Sequence, residues 1–238
     1  MAEDTGNTAR VPKAVIWDMD GVIADTGAAH FAAWRQVMAE LGCPFDEADF
    51  RRIFGLVNPD AIRLLLGKTV SSHEIARIIE RKETLFREAV QVHVSPLPGV
   101  ETWLERLRQQ GYRQAIASSA PRANIEVLLH VLNIGPYFQA TVAADDVTRG
   151  KPDPSIFLRA AATLGVSPAR CVVVEDAIAG VQAARRAGMV CLAVATTQPV
   201  ERLRDADLVV KRLTELAGDA FEWLLALRWA DRGGKKLR

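Results

Sequence analysis

Short, largely apolar segments recur along the chain at Ala14-Val15-Ile16-Trp17, Gln114 to Ser118, Ala140 to Ala144, Cys171-Val172-Val173-Val174 and Val190 to Val194, with a weaker one at Leu208 to Val210. The first and fourth run without alternation, which is how strands buried on both faces read. From Pro98 onward these segments alternate with stretches of helical spacing. Helices are predicted over 98–110, ending at Gly111, over 122–132, over 153–164, ending at Gly165, and over 177–187, closed by Gly188. Strands alternating with helices in this way argue for a parallel sheet with crossover helices. A final amphipathic helix is predicted over 213–229, and the basic, Gly-containing end over 232–238 reads as a solvated tail.

The pattern differs between about residues 27 and 92, where no convincing strand occurs. Phe31, Trp34, Val37, Met38 and Leu41 recur at helical spacing before Gly42 and Pro44. Asn58 is placed to cap a helix through Leu66, and Ser71 or Ser72 to cap another reaching about Ala89, with Gly67 between them. A helical insertion over 27–92 is therefore predicted to interrupt a core made of 11–26 and 93–238, with a loose polar tail over 1–10.

Composition narrows the class. The chain has 238 residues, of which 49% are hydrophobic and 25% charged, with a net charge of +1. Those values suit a globular protein and offer no dense basic face for nucleic acid. No uncharged apolar run is long enough to span a membrane, and residues 1–10 lack the apolar core of a signal peptide, so a cytoplasmic protein is expected, by default a monomer. The three cysteines, Cys43, Cys171 and Cys191, are widely spaced among apolar residues and read as small buried hydrophobes in a reducing compartment.

Three of the strands end in polar residues suited to one task. Asp18 and Asp20 follow the first, ahead of Gly21; Ser118 and Ser119 end the second; Glu175 and Asp176 end the fourth. Asp-x-Asp-Gly by itself also reads as a capping turn. In open α/β sheets, however, ligands bind beyond the carboxyl ends of the strands, and a parallel sheet would gather all these groups there, with Lys151 of Gly150-Lys151-Pro152-Asp153-Pro154. Asp18, Glu175 and Asp176 are hard oxygen ligands of the kind Mg²⁺ takes with water and phosphate. Ser118 offers a hydroxyl, the turn after it offers backbone N–H groups near a helix start, and Lys151 offers a compact positive charge. The set suits phosphoryl transfer, in which catalysis is mostly positioning and charge neutralisation.

Asp18-Met19-Asp20-Gly21-Val22, Ser118, Lys151-Pro152 and Glu175-Asp176, in this order and at about this spacing, resemble the motifs of the haloacid dehalogenase superfamily. Within it the chain is similar to the branch of β-phosphoglucomutase and related sugar-phosphate phosphatases. The resemblance implies a Rossmann-like parallel-sheet α/β core with an inserted α-helical cap, hinged near Thr26 and His93. It implies that Asp18 is the nucleophile forming an aspartyl-phosphate and a Mg²⁺ ligand. It implies that Asp20 is the general acid and then the base, giving only its backbone carbonyl to the metal, and that Asp176 is the main further ligand with Glu175 acting directly or through water. An ordinary Asp, with a pKa of about 3.9, would need a rise of about three units to hold its proton at neutral pH. Dehalogenation is not expected, because the family's true dehalogenases lack the second aspartate.

His30-Phe31 with Trp34 resembles the start of the β-phosphoglucomutase cap, and Lys82 falls where that cap carries a substrate-contacting lysine. His30 also reads as a packed hinge residue, and Lys82 as a solvated lysine on a polar helix. The departure lies between them: Phe54-Gly55-Leu56-Val57-Asn58 stands where the mutase has Lys-Gly-x-x-Arg. That arginine grips a second phosphate, and Asn58 cannot reproduce its bidentate grip. Arg51, Arg52 and Arg63 are the nearby cations available to stand in for it, although they read first as ordinary solvated charges. A Mg²⁺-dependent phosphatase for a small phosphorylated metabolite is therefore expected ahead of a mutase, and well ahead of a catalytically silent phospho-ligand-binding protein.

Overall fold

The structure is a computed structural model that describes residues 11–53, 56–67 and 69–232. The tail expected over 1–10 and the basic end beyond residue 232 lie outside the described residues.

Six strands form one sheet: β1 (Ala14–Trp17), β2 (Arg113–Ala117), β3 (Ala140–Val142), β4 (Cys171–Glu175), β5 (Val190–Val194) and β6 (Leu208–Val210). Their order is β3-β2-β1-β4-β5-β6 and every pairing is parallel. β1 is therefore central, with Trp17 opposite Ile116 on one side and Val174 on the other. Its unbroken apolar run is explained by burial on both faces: Val15 and Trp17 join one core, Ala14 and Ile16 the other.

The first face is covered by α5 (Val100–Gln109), α6 (Arg122–Val131) and α9 (Ala220–Arg232), the second by α7 (Ser155–Leu164) and α8 (Ile178–Arg186). Polar groups in these layers are paired. Trp17 Nε1 donates to Gln114 Oε1 at 3.0 Å, and Gln114 Nε2 donates to the Leu104 carbonyl at 2.9 Å.

Between β1 and α5 lie α1 (Gly27–Glu40), α2 (Glu47–Ile53), α3 (Asn58–Leu66) and α4 (Ser72–His93). They enclose a separate apolar cluster around Trp34, Met38, Ile53, Ile62, Ile75 and Ile78. α4 starts at a capping box in which Ser71 and Glu74 satisfy each other's backbone N–H groups.

Three expectations need correction. The stretch 213–219 is not helical, apart from one 3-10 turn at Leu213–Glu215; α9 begins only at Ala220, after Gly218. Leu213 is buried and its carbonyl accepts from Trp103 Nε1 at 2.9 Å, which fixes this segment against α5. Asn58 does not cap α3: Val57 holds the cap position without a side-chain bond, and the Asn58 amide turns elsewhere. Cys43 is only half-buried, whereas Cys171 and Cys191 are buried, as expected.

Candidate active site

Because β1, β2 and β4 are adjacent and parallel, Asp18, Ser118 and Glu175-Asp176 leave the sheet at the same edge. The Asp18 N–H continues the ladder to the Val174 carbonyl at 3.0 Å, and the Ser118 N–H to the Val142 carbonyl at 3.1 Å. The chain then turns sharply after Asp18, with Ile23 N–H returning to the Met19 carbonyl at 2.9 Å. Gly21 makes this turn with φ +76°, and a Cβ there would lie 2.2 Å from Asp176 Oδ2. Only glycine combines that backbone with that clearance.

Lys151 Nζ reaches into the cluster and donates to both Asp18 Oδ1 and Glu175 Oε1. The Glu175 carboxylate is fully buried, its Oε2 accepting from the N–H groups of Asp176 and Ala177 at 3.0 and 3.1 Å. It has room only because residue 180 is glycine: a Cβ there would come within 1.9 Å of the carboxylate. Asp176 is held by Thr197, whose hydroxyl donates to its carboxylate, and Thr196 Oγ1 donates to the Gly21 carbonyl.

Oxygens of Asp18, Glu175 and Asp176 lie within 4.8 Å of one another, all on buried residues. Three carboxylates therefore share one ammonium. Burial, and then the charges of Glu175 and Asp20, push Asp18 up to about 7 despite Lys151. Burial, and then the charges of Glu175 and Asp18, raise Asp176 well above its ordinary value. Burial disfavours the Lys151 charge, yet Asp18 and Glu175 outweigh it and hold the ammonium firmly protonated. When all three acids are ionised, hard oxygen donors with two negative charges unmatched are suited to a divalent cation such as Mg²⁺.

Asp20 is separate from this cluster. Its Oδ1 accepts from Thr26 Oγ1 at 2.6 Å and lies 3.5 Å from His30 Nε2. Burial would raise its pKa, but the bonds to His30 and Thr26 and the charge of Lys82 more than offset this, and the carboxyl stays below its ordinary value. The rise needed for a resting acid is thus absent in the free protein. His30 stacks on Phe86 at 4.1 Å between centroids, and its Nδ1 is 3.0 Å from Lys82 Nζ. An ammonium can only donate, so Nδ1 accepts and the ring proton of a neutral His30 lies on Nε2, facing Asp20. His30 is thus packed against Phe86 and at the same time turned toward Asp20.

Lys82 is 2% exposed, which overturns the solvated reading. It also donates to Glu83 Oε1 at 2.9 Å, the atom that accepts from Asn58 Nδ2 at 2.7 Å. Asn58 is thus spent on a carboxylate. Ser118 Oγ accepts from Ala120 N–H at 3.1 Å, while Ser119 is exposed beside it. Arg52 and Arg63 pair with Asp49 and Asp60 on the surface, and Arg51 is exposed. Sequence reading named Thr26 only as a hinge and overlooked Glu83, Asn124, Gly180 and Thr197; of these four only Gly180, a glycine early in a predicted helix, carried a local signal.

The described residues contain no helix long and apolar enough to cross a membrane. Residues 12–188 match the family model of haloacid dehalogenase-like hydrolases. Over 214 residues the chain is 36% identical to a β-phosphoglucomutase of Bacillus subtilis, covering 86% of this chain and 91% of the relative. It is 38% identical over 181 residues to a fructose-1-phosphate phosphatase of Escherichia coli, covering 74% and 92%. Among solved structures it superposes on β-phosphoglucomutase from Clostridium difficile with a TM-score of 0.79 at 27% identity, covering 91% of this chain and 98% of that one. With the sheet order, the strand-end acids and the matched residues in agreement, the chain belongs to the haloacid dehalogenase-like hydrolases.

Proposed function

We propose that this protein is a Mg²⁺-dependent phosphatase that hydrolyses a small phosphomonoester, such as a sugar phosphate, through an aspartyl-phosphate on Asp18. An Asp18 oxygen attacks phosphorus, the bond to the leaving oxygen breaks, and Asp20 gives that oxygen its proton. In the second step Asp20 takes a proton from water, whose oxygen attacks the same phosphorus and frees Asp18 and inorganic phosphate. Asp20 is ionised in the free protein, so its proton is acquired with the substrate, whose phosphate charge raises the carboxyl. Ser118 and the backbone N–H groups after it receive phosphate oxygens, and Lys151 holds Asp18 in place and offsets phosphate charge. Bound by Asp18 and Asp176 with Glu175 behind them, Mg²⁺ would supply the remaining positive charge that keeps Asp18 ionised and neutralises the transferring group. Helices α1–α4 act as the cap that excludes water.

One observation favours hydrolysis over mutase chemistry. A mutase must hold a phosphate at both ends of its sugar, yet Asn58 faces the carboxylate of Glu83, and Arg52 and Arg63 are engaged with surface acids. Asn58 is uncharged and its amide is already given to Glu83, so this position supplies no grip for a second phosphate. The similarity to the Bacillus subtilis mutase supports the second reading. Phosphate release with and without Mg²⁺, across a panel of phosphomonoesters including β-glucose 1-phosphate, tests both. Release from one or a few esters is expected; glucose 6-phosphate formed without phosphate loss would establish the mutase instead.

A further inference from the structure

Glu83 is an acid with no part in the chemistry above, and it is 5% exposed. Burial opposes its charge, but Lys82 and the amides of Asn124 and Asn58 outweigh that and keep it ionised. Its three partners come from three elements. Asn58 Nδ2 at the start of α3 donates to Oε1 at 2.7 Å, and Lys82 Nζ on α4 donates to the same oxygen at 2.9 Å. Asn124 Nδ2 on α6 donates to Oε2. Asn124, 1% exposed, is fixed in turn by Arg87 Nη1, which donates to its carbonyl at 3.2 Å while Nη2 donates to Thr84 Oγ1 at 3.0 Å.

α3 and α4 belong to the helical insertion, whereas α6 packs on the sheet. The Glu83–Asn124 bond therefore crosses from insertion to core, and exists only while the two are together. On its other side the carboxylate fixes Lys82 Nζ, which sets His30 Nδ1, whose Nε2 faces Asp20. No other acid is bonded to Lys82 among the described residues.

We propose that Glu83 is a positioning residue that ties closure of the helical insertion to the orientation of the acid–base group. When α4 meets α6, Asn124 fixes the carboxylate, the carboxylate fixes Lys82, and the Lys82–His30 pair is aligned on Asp20. This rests on the phosphatase reading above, and on Asp20 as its acid.

Two variants, Glu83→Gln and Asn124→Ala, test it by two readouts. Thermal unfolding of the singles and the double reads the contact without reference to activity. Because the two side chains share one bond while each keeps partners of its own, the double variant should lose less than the sum of the two singles, whereas additive losses would overturn the contact. With Mg²⁺ present, kcat/KM is then compared for the best sugar phosphate of the panel, whose alkoxide must be protonated, and for 4-nitrophenyl phosphate, whose leaving group departs without a proton. Since a positioned acid contributes about 10²–10⁴-fold, Glu83→Gln should lower the first by about 100-fold and the second only a few-fold. Equal losses with both esters, or none with either, overturn the positioning role. Should Glu83→Gln fold poorly, Asn124→Ala leaves the Glu83–Lys82 pair intact and should show the same contrast at about tenfold, a modest part of that contribution. Failure of the parent protein to release phosphate from any ester would overturn the phosphatase reading and the positioning role with it, while the thermal cycle would still report the contact by itself.

Discussion

Replacing Gly180 by alanine sets two rules against each other. Gly180 is the third residue of α8, and its backbone lies outside the left-handed region. Helix propensity therefore predicts a gain, at most about 0.5–1 kcal/mol for a glycine in a helix interior. The tertiary structure predicts the reverse. The new methyl would lie 1.9 Å from Glu175 Cδ and Oε1 and 2.3 Å from Oε2, far inside contact distance. The carboxylate has nowhere to retreat, since it is fully buried and bonded to Lys151 and to the backbone at Asp176 and Ala177. Overpacking of this kind costs about 1–3 kcal/mol, and loosening a charge-assisted hydrogen bond adds about 1 kcal/mol or more. The net effect is a loss of about 1–3 kcal/mol, equivalent to about 2–12 °C in melting temperature for a domain of this size. Activity should fall further than stability, because Glu175 moves relative to Asp18 and Asp176. Thermal unfolding and phosphate release on the same preparation test this. A Gly180→Ala protein that melts at or above the parent temperature with unchanged turnover would refute the reasoning.

Asp18 is held at about 7 against an ordinary 3.8, so its protonated form is favoured by folding. That contribution is fully present below pH 3.8 and lost as the pH rises through 7; without metal, the melting temperature of the parent should fall relative to Asp18→Asn between pH 5 and pH 8, and a constant difference would contradict the shift. Asp18→Asn should also abolish phosphate release and any phosphorylated protein, and full activity would remove Asp18 as nucleophile. Thr197→Val deletes the hydroxyl that orients Asp176, and should weaken Mg²⁺ activation by about 10- to 100-fold with little change in melting temperature. Excess chelator should stop phosphate release and added Mg²⁺ restore it; unchanged rates in chelator would exclude the metal role of the three acids.

Much of the sheet was legible in sequence because its signals are local. β1 is an unbroken apolar run, so it belongs in the middle of a parallel sheet, and the acids after it and after β4 then necessarily share an edge. Asp18, Glu175, Asp176 and Lys151 come together for that reason. The C-terminal segment misled for an equally local reason: Leu213 and Leu216 continue the apolar spacing of α9, but a bond from Trp103 and a glycine at 218 separate them from it.

What the sequence by itself determined is the parallel-sheet fold class and the residues at the strand ends, since periodicity 2 or 3.6 and turn chemistry depend on near neighbours, whereas the strand order came from the structure. Only the tertiary structure decided the protonation and partners of those residues. Lys82 reads as an exposed lysine on a polar helix until α1 packs on α4 and buries it against His30 and Phe86. Asn58 reads as a helix cap until Glu83, 25 residues later, takes its amide. Asp20, the acid of the proposed phosphatase, is held ionised at rest by groups on α1 and α4 and by Thr26. Charge and hydrogen bonding act through space, and a buried group's state depends on neighbours that the order of residues does not reveal.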